Sequence, residues 1–259
     1  MQEIVHGVNT YYEEYGSGDD YVLLLHGWQM DSSSMSWIGK QLNHYHVYVF
    51  DLPGFGKSEL LESFDVYDYC DWLHAFCLKY NIINPIIIAH SFGCRIAVWY
   101  SYLYGSGKLV LTGAAGIQSR KNRIQKLKEM EYHIFKNIYK FFRLNEQLKQ
   151  LQNSFGSSDY RLANSVMKNT LVKVLHNNVN DILEYITVST IVIMGELDNQ
   201  TPLWMGRVFE HKMKDCALIV FEKCGHFAYL QQKNRFMKIV NAFLEKGEGH
   251  VGNSNNVEN

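Results

Sequence analysis

Three side chains that could act together in nucleophilic catalysis lie far apart in the 259-residue sequence: Ser91, Asp198 and His226. A serine hydroxyl is a poor nucleophile until a neighbouring imidazole takes its proton, and a carboxylate can hold that imidazole in the required tautomer. Each of the three closely follows a short apolar run, "PIIIA", "TIVIM" and "ALIVF". Because open α/β sheets place their sites beyond the carboxyl ends of strands, we expect the three side chains to meet there.

The surroundings of Ser91 favour a nucleophile. In "IIIAHSFGC" the residues two before and two after the serine, Ala89 and Gly93, are small. Small residues are needed where a strand passes through a tight turn directly into a helix with the serine at the apex, although the usual motif is G-x-S-x-G and Ala89 departs from it. The pentapeptide alone is a weak signal, and its place between an apolar run and a helical pattern strengthens it. The alternative is a serine that only caps a helix.

Two backbone amides are candidates for an oxyanion hole, which needs preorganised N–H donors aimed at the reacting oxygen. One is the amide of Phe92, at the start of the helix after the serine. The other is the amide of Trp28 in "LLLHGWQ", where Gly27 lets the chain turn into the cleft. We interpret His26 in the same stretch as a structural residue that holds the loop by a hydrogen bond.

Strand and helix patterns alternate along the chain, which predicts an α/β fold with a doubly wound sheet. Several strand candidates are continuously apolar, as expected for parallel strands covered on both faces. In "TYYEEYGSGDDYVLLL" we predict instead a turn between antiparallel edge strands. The eight candidates are "EIVHG", "TYYEEY", "YVLLLHG", "HVYVFD", "PIIIAHS", "KLVLTG", "TIVIMG" and "ALIVFE".

The alternation stops at 118–186, where only helical patterns occur, so we predict a helical lid inserted there into a core formed by 1–117 and 187–245. Between 118 and 150 nine Lys and Arg residues face three Glu residues, which indicates either a solvated outer face or a basic surface for anionic substrates or membrane lipid. The polar segment 246–259 is predicted to be a disordered tail. Apolar residues recur at helical spacing in the insertion: Ile124, Leu127, Met130, Ile134, Ile138, Phe142 and Leu148.

The bulk composition argues against several classes of protein. A net charge of -1 gives no general attraction to nucleic acid or membrane, and no apolar run approaches the roughly 20 residues of a membrane span. The five cysteines have no paired spacing and read as reduced thiols, and no signal peptide is evident, so we expect a cytoplasmic protein without stable membrane association. No cluster of residues has the spacing of metal ligands, and no G-x-G-x-x-G motif follows a strand. No metal or cofactor is therefore expected. "GFGKS" is not a phosphate loop, since Asp51 stands where that motif needs glycine.

Taken together, these motifs resemble the α/β-hydrolase superfamily, in its compact bacterial serine-esterase-like branch. The resemblance covers nearly the whole chain before the polar tail. It implies an α/β-hydrolase fold with a mostly parallel eight-stranded sheet flanked by helices and a lid inserted after strand 6. The matching pieces are "HGW" at 26–28, "DLPGFGKS" at 51–58, the elbow at 89–93, "GELDNQTP" at 195–202 and "GHF" at 225–227.

The resemblance also implies roles for the three side chains, in the order serine, acid, histidine that this superfamily uses. Ser91 is the nucleophile, His226 the general base and then acid, and Asp198 the orienting carboxylate. Glu196 is the alternative acid, and we favour Asp198 because the family pattern places the carboxylate three residues past the glycine and four before the proline. Relatives with an aspartate nucleophile, such as epoxide hydrolases, are disfavoured by the serine at the elbow.

We therefore expect a serine hydrolase that cleaves a small carboxylic ester, thioester or lactone through an acyl-enzyme. The alternatives are a C–C bond hydrolase or aminopeptidase of the same fold, or a ligand sensor with slow turnover. The substrate is expected to contact Trp28, Phe92 and Phe227, with Phe135, Phe141 and Phe142 of the insertion as further candidates. The protein is expected to act as a monomer or homodimer on a small molecule, without nucleic acid.

Overall fold

An eight-stranded sheet forms the centre of the computed structural model, which describes residues 1–118, 132, 134–147, 150–151 and 158–245. The strand order is β1-β2-β4-β3-β5-β6-β7-β8. β2 pairs antiparallel with β1 and β4, and the other neighbours pair parallel. The predicted α/β-hydrolase fold is thereby confirmed at the level of the sheet. The strands are β1 Gln2–Val5, β2 Val8–Tyr15, β3 Tyr21–Leu25, β4 His46–Phe50, β5 Ile86–His90, β6 Leu109–Thr112, β7 Thr190–Gly195 and β8 Cys216–Phe221.

Helices cover both faces of this sheet. Short 3₁₀ turns lie at Ser32–Ser34 and Leu183–Tyr185, and residues 134–141 are helical. The sequence at 66–80 and 234–246, which has a helical pattern, forms α2 and α8. The helices are α1 Ser36–Gly39, α2 Val66–Lys79, α3 Phe92–Tyr104, α4 Ser158–Leu162, α5 Ser165–His176, α6 Leu203–Lys212, α7 Ala228–Gln231 and α8 Lys233–Glu245.

Alternate residues of the central strands enter two separate hydrophobic clusters. In β3, Leu23 and Leu25 pack into the cluster that holds α2, α3, α5 and α6, while Val22 and Leu24 pack into the cluster with α1 and α8. All four side chains are fully buried. Because successive side chains of a strand point to opposite faces, a strand covered on both sides must be apolar throughout. This explains the uninterrupted apolar runs of the sequence.

The helix α2 shows how local sequence sets an element boundary. Asp65 at its N-cap accepts hydrogen bonds from the amides of Tyr67 and Asp68, and the Asp68 carboxylate accepts one from the amide of Asp65. This reciprocal capping box satisfies amides that the first turn leaves without intrahelical partners. The apolar face of α2 then buries Tyr69, Leu73 and Phe76 against the sheet.

One predicted pairing was wrong. The "GSG" turn joins β2 to β3, but the two strands are not neighbours, and β3 is a central strand rather than an edge. β4 lies between them and pairs antiparallel with β2, with Tyr15 opposite Val47, and parallel with β3. A turn signal fixes a reversal of direction, whereas the next strand in sequence can be displaced when a later strand inserts between the two.

The insertion predicted at 118–186 has no strand among its described residues. Its helix α5 belongs to the main core, since Met167, Leu171 and Val174 are buried in the same cluster as α2 and α3. Of the apolar positions noted above, Ile134, Ile138 and Phe142 are exposed, and the other four lie outside the described residues. The boundaries of a lid stay a prediction, and the tail at 246–259 also lies outside the described residues.

None of the helices in the described part of the chain combines the length and the apolar character that crossing a membrane would require.

Candidate active site

The turn between β5 and α3 places Ser91 in a backbone conformation that residues other than glycine rarely adopt, with φ 50° and ψ −111°. Its amide donates to the carbonyl of Thr112 at 3.0 Å, which ties the turn to the end of β6. The helix passes so close to β3 that a Cβ at Gly93 would lie 2.3 Å from the carbonyl oxygen of Leu25. Glycine is therefore required there, whereas the methyl group of Ala89 is fully buried and accommodated.

The structure brings together the three side chains that the sequence leaves far apart. His226 Nε2 lies 2.9 Å from Ser91 Oγ, and His226 Nδ1 lies 2.8 Å from Asp198 Oδ2. A carboxylate only accepts hydrogen bonds, so the proton of the neutral ring lies on Nδ1 and Nε2 accepts from the serine hydroxyl. This is the tautomer in which the imidazole can take the proton of Ser91.

The carboxylate of Asp198 is held by more than the imidazole. Its Oδ1 accepts from the amides of Gln200 at 2.8 Å and Thr201 at 2.9 Å, and its Oδ2 accepts from Thr201 Oγ1 at 2.7 Å. Burial by itself would raise the pKa of Asp198, but the hydrogen bonds from His226 and Thr201 outweigh burial and hold the pKa below its usual value. Glu196 points elsewhere and accepts from the amide of Lys223 at 2.9 Å. The geometry therefore favours Asp198 over Glu196.

The loop that carries Trp28 is fixed by His26. Nε2 of this buried histidine accepts from the amide of Leu52 at 2.9 Å, so its Nδ1 carries the proton and donates to the carbonyl of Gly27 at 2.7 Å. Burial lowers the pKa of His26 to about 4, so the ring stays neutral and both hydrogen bonds persist. The structural role expected for His26 agrees with these contacts.

The "DLPGFGKS" segment forms a tight loop around Asp51 beside the loop of Trp28. The Asp51 carboxylate accepts from the amides of Ser32 and Lys57, each at 2.7 Å, and its carbonyl accepts from Ser58 Oγ at 2.6 Å. Gly56 has φ +54°, and a Cβ there would lie 2.2 Å from Asp51 Oδ2. The glycine and the acid therefore form a structural unit, which explains a sequence that resembled a phosphate loop.

A cavity of about 700 Å³ opens beside Ser91. Trp28 and Phe92, which carry the two predicted oxyanion amides, line it, and their rings pack edge to face with centroids 5.3 Å apart. The first amides of a helix have no intrahelical acceptor, which leaves the N–H of Phe92 available to a ligand. The other lining residues include Arg95, Ile117, Leu171, Val174, Thr201 and Met205.

Four aromatic residues considered as substrate contacts lie apart from this cavity. Phe227 packs on the rings of His226 and His90, with both centroid distances 5.3 Å, and is not among the lining residues. Three aromatic residues of the insertion are exposed and do not line the cavity either: Phe135, Phe141 and Phe142. Contact between these four residues and a substrate stays a prediction.

Three residues that sequence reasoning missed belong to the site or its support. Thr201 holds Asp198, and Arg95 is a buried cation on the cavity wall. His90 is buried beneath the ring of His226 and donates from Nε2 to the His226 carbonyl at 3.2 Å. The threonine three residues after a candidate acid was a usable signal, because such a hydroxyl often returns to the carboxylate. Nothing in the sequence alone pointed to the other two.

The profile of the alpha/beta hydrolase family matches residues 22–238, which is most of the chain. This protein belongs to the alpha/beta hydrolase family. The match runs from β3 to α8 and includes all three side chains of the hydrogen-bonded set.

Curated relatives of this alpha/beta hydrolase include enzymes of two names. A 2-hydroxy-6-oxononadienedioate/2-hydroxy-6-oxononatrienedioate hydrolase of Burkholderia vietnamiensis is 27% identical, with 92% of each chain covered. A pimeloyl-[acyl-carrier protein] methyl ester esterase of Hamiltonella defensa is 22% identical, with 93% of this chain and 99% of the relative covered. The two names divide between C–C bond and ester cleavage.

Among solved structures, a meta-cleavage product hydrolase from Pseudomonas fluorescens superposes with a TM-score of 0.71. The alignment covers 96% of this alpha/beta hydrolase and 98% of the other chain, at 18% identity. At that identity the likeness establishes the fold alone.

Proposed function

We propose that this protein is a serine hydrolase that cleaves a small carboxylic ester, or a related thioester or lactone, through an acyl-enzyme. The observation that carries the proposal is the continuous hydrogen-bonded path from Ser91 Oγ through the ring of His226 to Asp198, at 2.9 and 2.8 Å. Ser91, at one end of this path, lines a cavity large enough for a small ester. The relatives named as esterases agree with this chemistry.

In the proposed reaction, Ser91 Oγ attacks the ester carbonyl while His226 Nε2 takes its proton. The negative charge on the carbonyl oxygen is stabilised by the amides of Trp28 and Phe92, a contribution of a few kcal/mol for each donor. The imidazolium then gives its proton to the departing alcohol. Water attacks the acyl-enzyme in the same way, again through His226, and releases the acid.

Hydrolysis of p-nitrophenyl acetate, butyrate and octanoate tests the proposal. We expect sustained turnover and an optimum in acyl chain length that reflects the size of the cavity. In Ser91→Ala we expect kcat to fall by a factor of at least about 10³. Ser101→Ala is the matched control, because Ser101 lies on the same helix and its hydroxyl accepts a hydrogen bond from Ser106 Oγ at 2.8 Å, away from the cavity lining. Activity that persists in Ser91→Ala would overturn the assignment, and a single burst without turnover would favour a slow ligand sensor.

A C–C bond hydrolase is the second candidate, favoured by the relatives that are named for dienedioate and trienedioate substrates. The same serine and histidine would serve a different substrate class. Consumption of 2-hydroxy-6-oxononadienedioate, compared with that of the esters at equal enzyme concentration, separates the two candidates. A kcat/KM far above that for every ester would assign the protein to C–C cleavage.

A cytoplasmic location stays a prediction that follows from the cysteine usage.

A further inference from the structure

Arg95 is a buried cation within one helical turn of Ser91. It is 7% exposed and lies on α3 four residues beyond Ser91, which is the N-cap of that helix, and both residues line one cavity. Its Nη1 donates to the carbonyl oxygens of Val174 and Asn177, at the end of α5. These two bonds use both hydrogens of Nη1, so the edge formed by Nε and Nη2 is left over.

No acidic side chain in the described part of the chain balances this charge. Burial is the cause that lowers the pKa of Arg95, to about 10, so the guanidinium is still charged at neutral pH. Asp159 lines the same cavity but forms no ion pair with Arg95. Among the described residues nothing accepts a hydrogen bond from Nε or Nη2. A buried charge without a counter-ion is costly, so a site of this kind favours an anion.

The cavity places this cation where a substrate would lie. Ser91 and Arg95 line the same space of about 700 Å³, and the walls beside the arginine are apolar, with Ile117, Leu171 and Val174. Four helical residues span about 6 Å along the axis, so a group bound at Arg95 would lie a few carbon atoms from the reacting carbonyl.

We propose that Arg95 binds a carboxylate carried by the substrate, so that the preferred substrates are esters with an ionised carboxylate a few carbons from the scissile bond. The free Nε–Nη2 edge matches the two oxygens of a carboxylate in a bidentate pair. The inference rests on the proposed ester hydrolysis, and the carboxylate can belong to the acyl group or to the alcohol.

Matched esters distinguish the two sources of the carboxylate. On the acyl side, p-nitrophenyl butyrate is compared with the mono-p-nitrophenyl esters of succinate, glutarate and adipate. On the alcohol side, phenyl butyrate is compared with 3- and 4-carboxyphenyl butyrate. We expect the wild-type enzyme to favour at least one anionic ester over its neutral partner by at least tenfold in kcat/KM. We expect Arg95→Gln to lose that preference by at least tenfold, chiefly through KM, and Arg95→Lys to keep part of it. A wild-type enzyme without the preference, or an Arg95→Gln variant that keeps it, overturns the inference.

A second measurement uses the wild-type protein alone, so that it does not depend on the folding of a variant. This matters because Arg95 also holds the end of α5. Inhibition of wild-type hydrolysis of p-nitrophenyl butyrate is compared for glutarate and the neutral glutaramide. We expect glutarate to bind at least tenfold more tightly, and equal inhibition constants would contradict the inference. If no ester is hydrolysed, the proposed function fails by itself. Calorimetric binding of glutarate to the wild-type protein, with glutaramide as the control, then still decides whether the anion site exists.

Discussion

At the scale of residues, each oxygen of Asp198 has a defined partner set. Oδ1 accepts hydrogen bonds from two backbone amides. Oδ2 accepts hydrogen bonds from the imidazole of His226 and from the hydroxyl of Thr201. Thr201 Oγ1 also lies 3.2 Å from His226 Nδ1, so the threonine is within reach of both members of the pair. A carboxylate fixed in this way stays ionised and restricts the imidazole to one orientation.

Replacing each of the two neighbouring acids tests which one orients His226. We expect Asp198→Asn to lower kcat by about 10³–10⁴-fold, because an amide cannot hold the tautomer in which Nε2 accepts a proton. Glu196→Gln is the matched control, since the Glu196 carboxylate accepts a hydrogen bond from the amide of Lys223 rather than from His226, and we expect its kcat to stay within about threefold of wild type. Steady-state kinetics on p-nitrophenyl butyrate gives the answer. A larger loss for the glutamine variant would transfer the role to Glu196.

The sequence was sufficient to nominate the three reactive side chains and the small residues of the elbow, because each of these features is local. Thr201, His90 and Arg95 were missed for a different reason. Their roles come from what lies beside them after folding: Asp198 for the first, the backbone of His226 for the second and a substrate-sized cavity for the third. Thr201 lies only three residues from Asp198, so its signal was local and was overlooked, whereas a single sequence carries no record of the long-range neighbours of His90 and Arg95.

At the scale of elements, the contact between α3 and β3 sets the position of Ser91, the proposed nucleophile. The carbonyl oxygens of Leu25 and His26 would lie 2.3 and 2.8 Å from a Cβ at Gly93. Both belong to the segment that leads into the predicted oxyanion loop. The glycine therefore determines how closely the serine turn approaches the amide of Trp28.

We expect Gly93→Ala to reduce the free energy of unfolding by about 1–3 kcal/mol, because a backbone atom rather than a flexible side chain blocks the added methyl group. Gly225→Ala is the matched control, since a Cβ there meets nothing within 4 Å, and we expect a change below about 1 kcal/mol. Urea unfolding of both variants measures the difference. Equal stabilities would mean that α3 can move away from β3 without cost.

The order of the strands was harder to predict than their existence. All eight strands were evident from short β-rich runs, several of them continuously apolar, but the runs do not encode which strands are neighbours. β4 reaches its place between β2 and β3 through pairs such as Glu13 with Val49 and Leu23 with Tyr48. Alternation of apolar residues identifies the faces of a strand and gives no information about its edges.

At the scale of the whole molecule, two neutral histidines lie buried near the centre of the fold. Burial lowers the pKa of His26 to about 4 and, with the nearby charge of His226, that of His90 to about 3. Asp51 and Asp31 act in the opposite direction on His26, and Asp198 does so on His90. An unfolded chain would protonate both rings near pH 6.5. The unfolded state therefore takes up more protons than the native state as the pH falls below 6.5.

This difference predicts that the protein loses stability in mild acid. The contribution of both histidines is fully present above pH 6.5 and declines as the pH falls toward 4, by on the order of 2–4 kcal/mol between pH 7 and 5. We expect His90→Phe to reduce this decline by about half, and His44→Gln, at an exposed position, to leave it unchanged. Urea unfolding at pH 7, 6 and 5 gives the free energy of unfolding of the wild-type protein and of both variants. A decline of the same size in His90→Phe would exclude His90 as a source.

The separation of Ser91 from His226, 135 residues in sequence and 2.9 Å in space, also bears on when the protein becomes active during synthesis. A chain complete only through β6 contains the elbow and both segments that carry the proposed oxyanion amides. It lacks Asp198 and His226, which follow β7 and β8 at the far edge of the sheet. In the proposed mechanism, the serine of such a nascent chain has no base to activate it. The proposed activity would therefore arise only when the last strands join the sheet, and the emerging polypeptide would carry its serine in an inert form until folding is nearly finished.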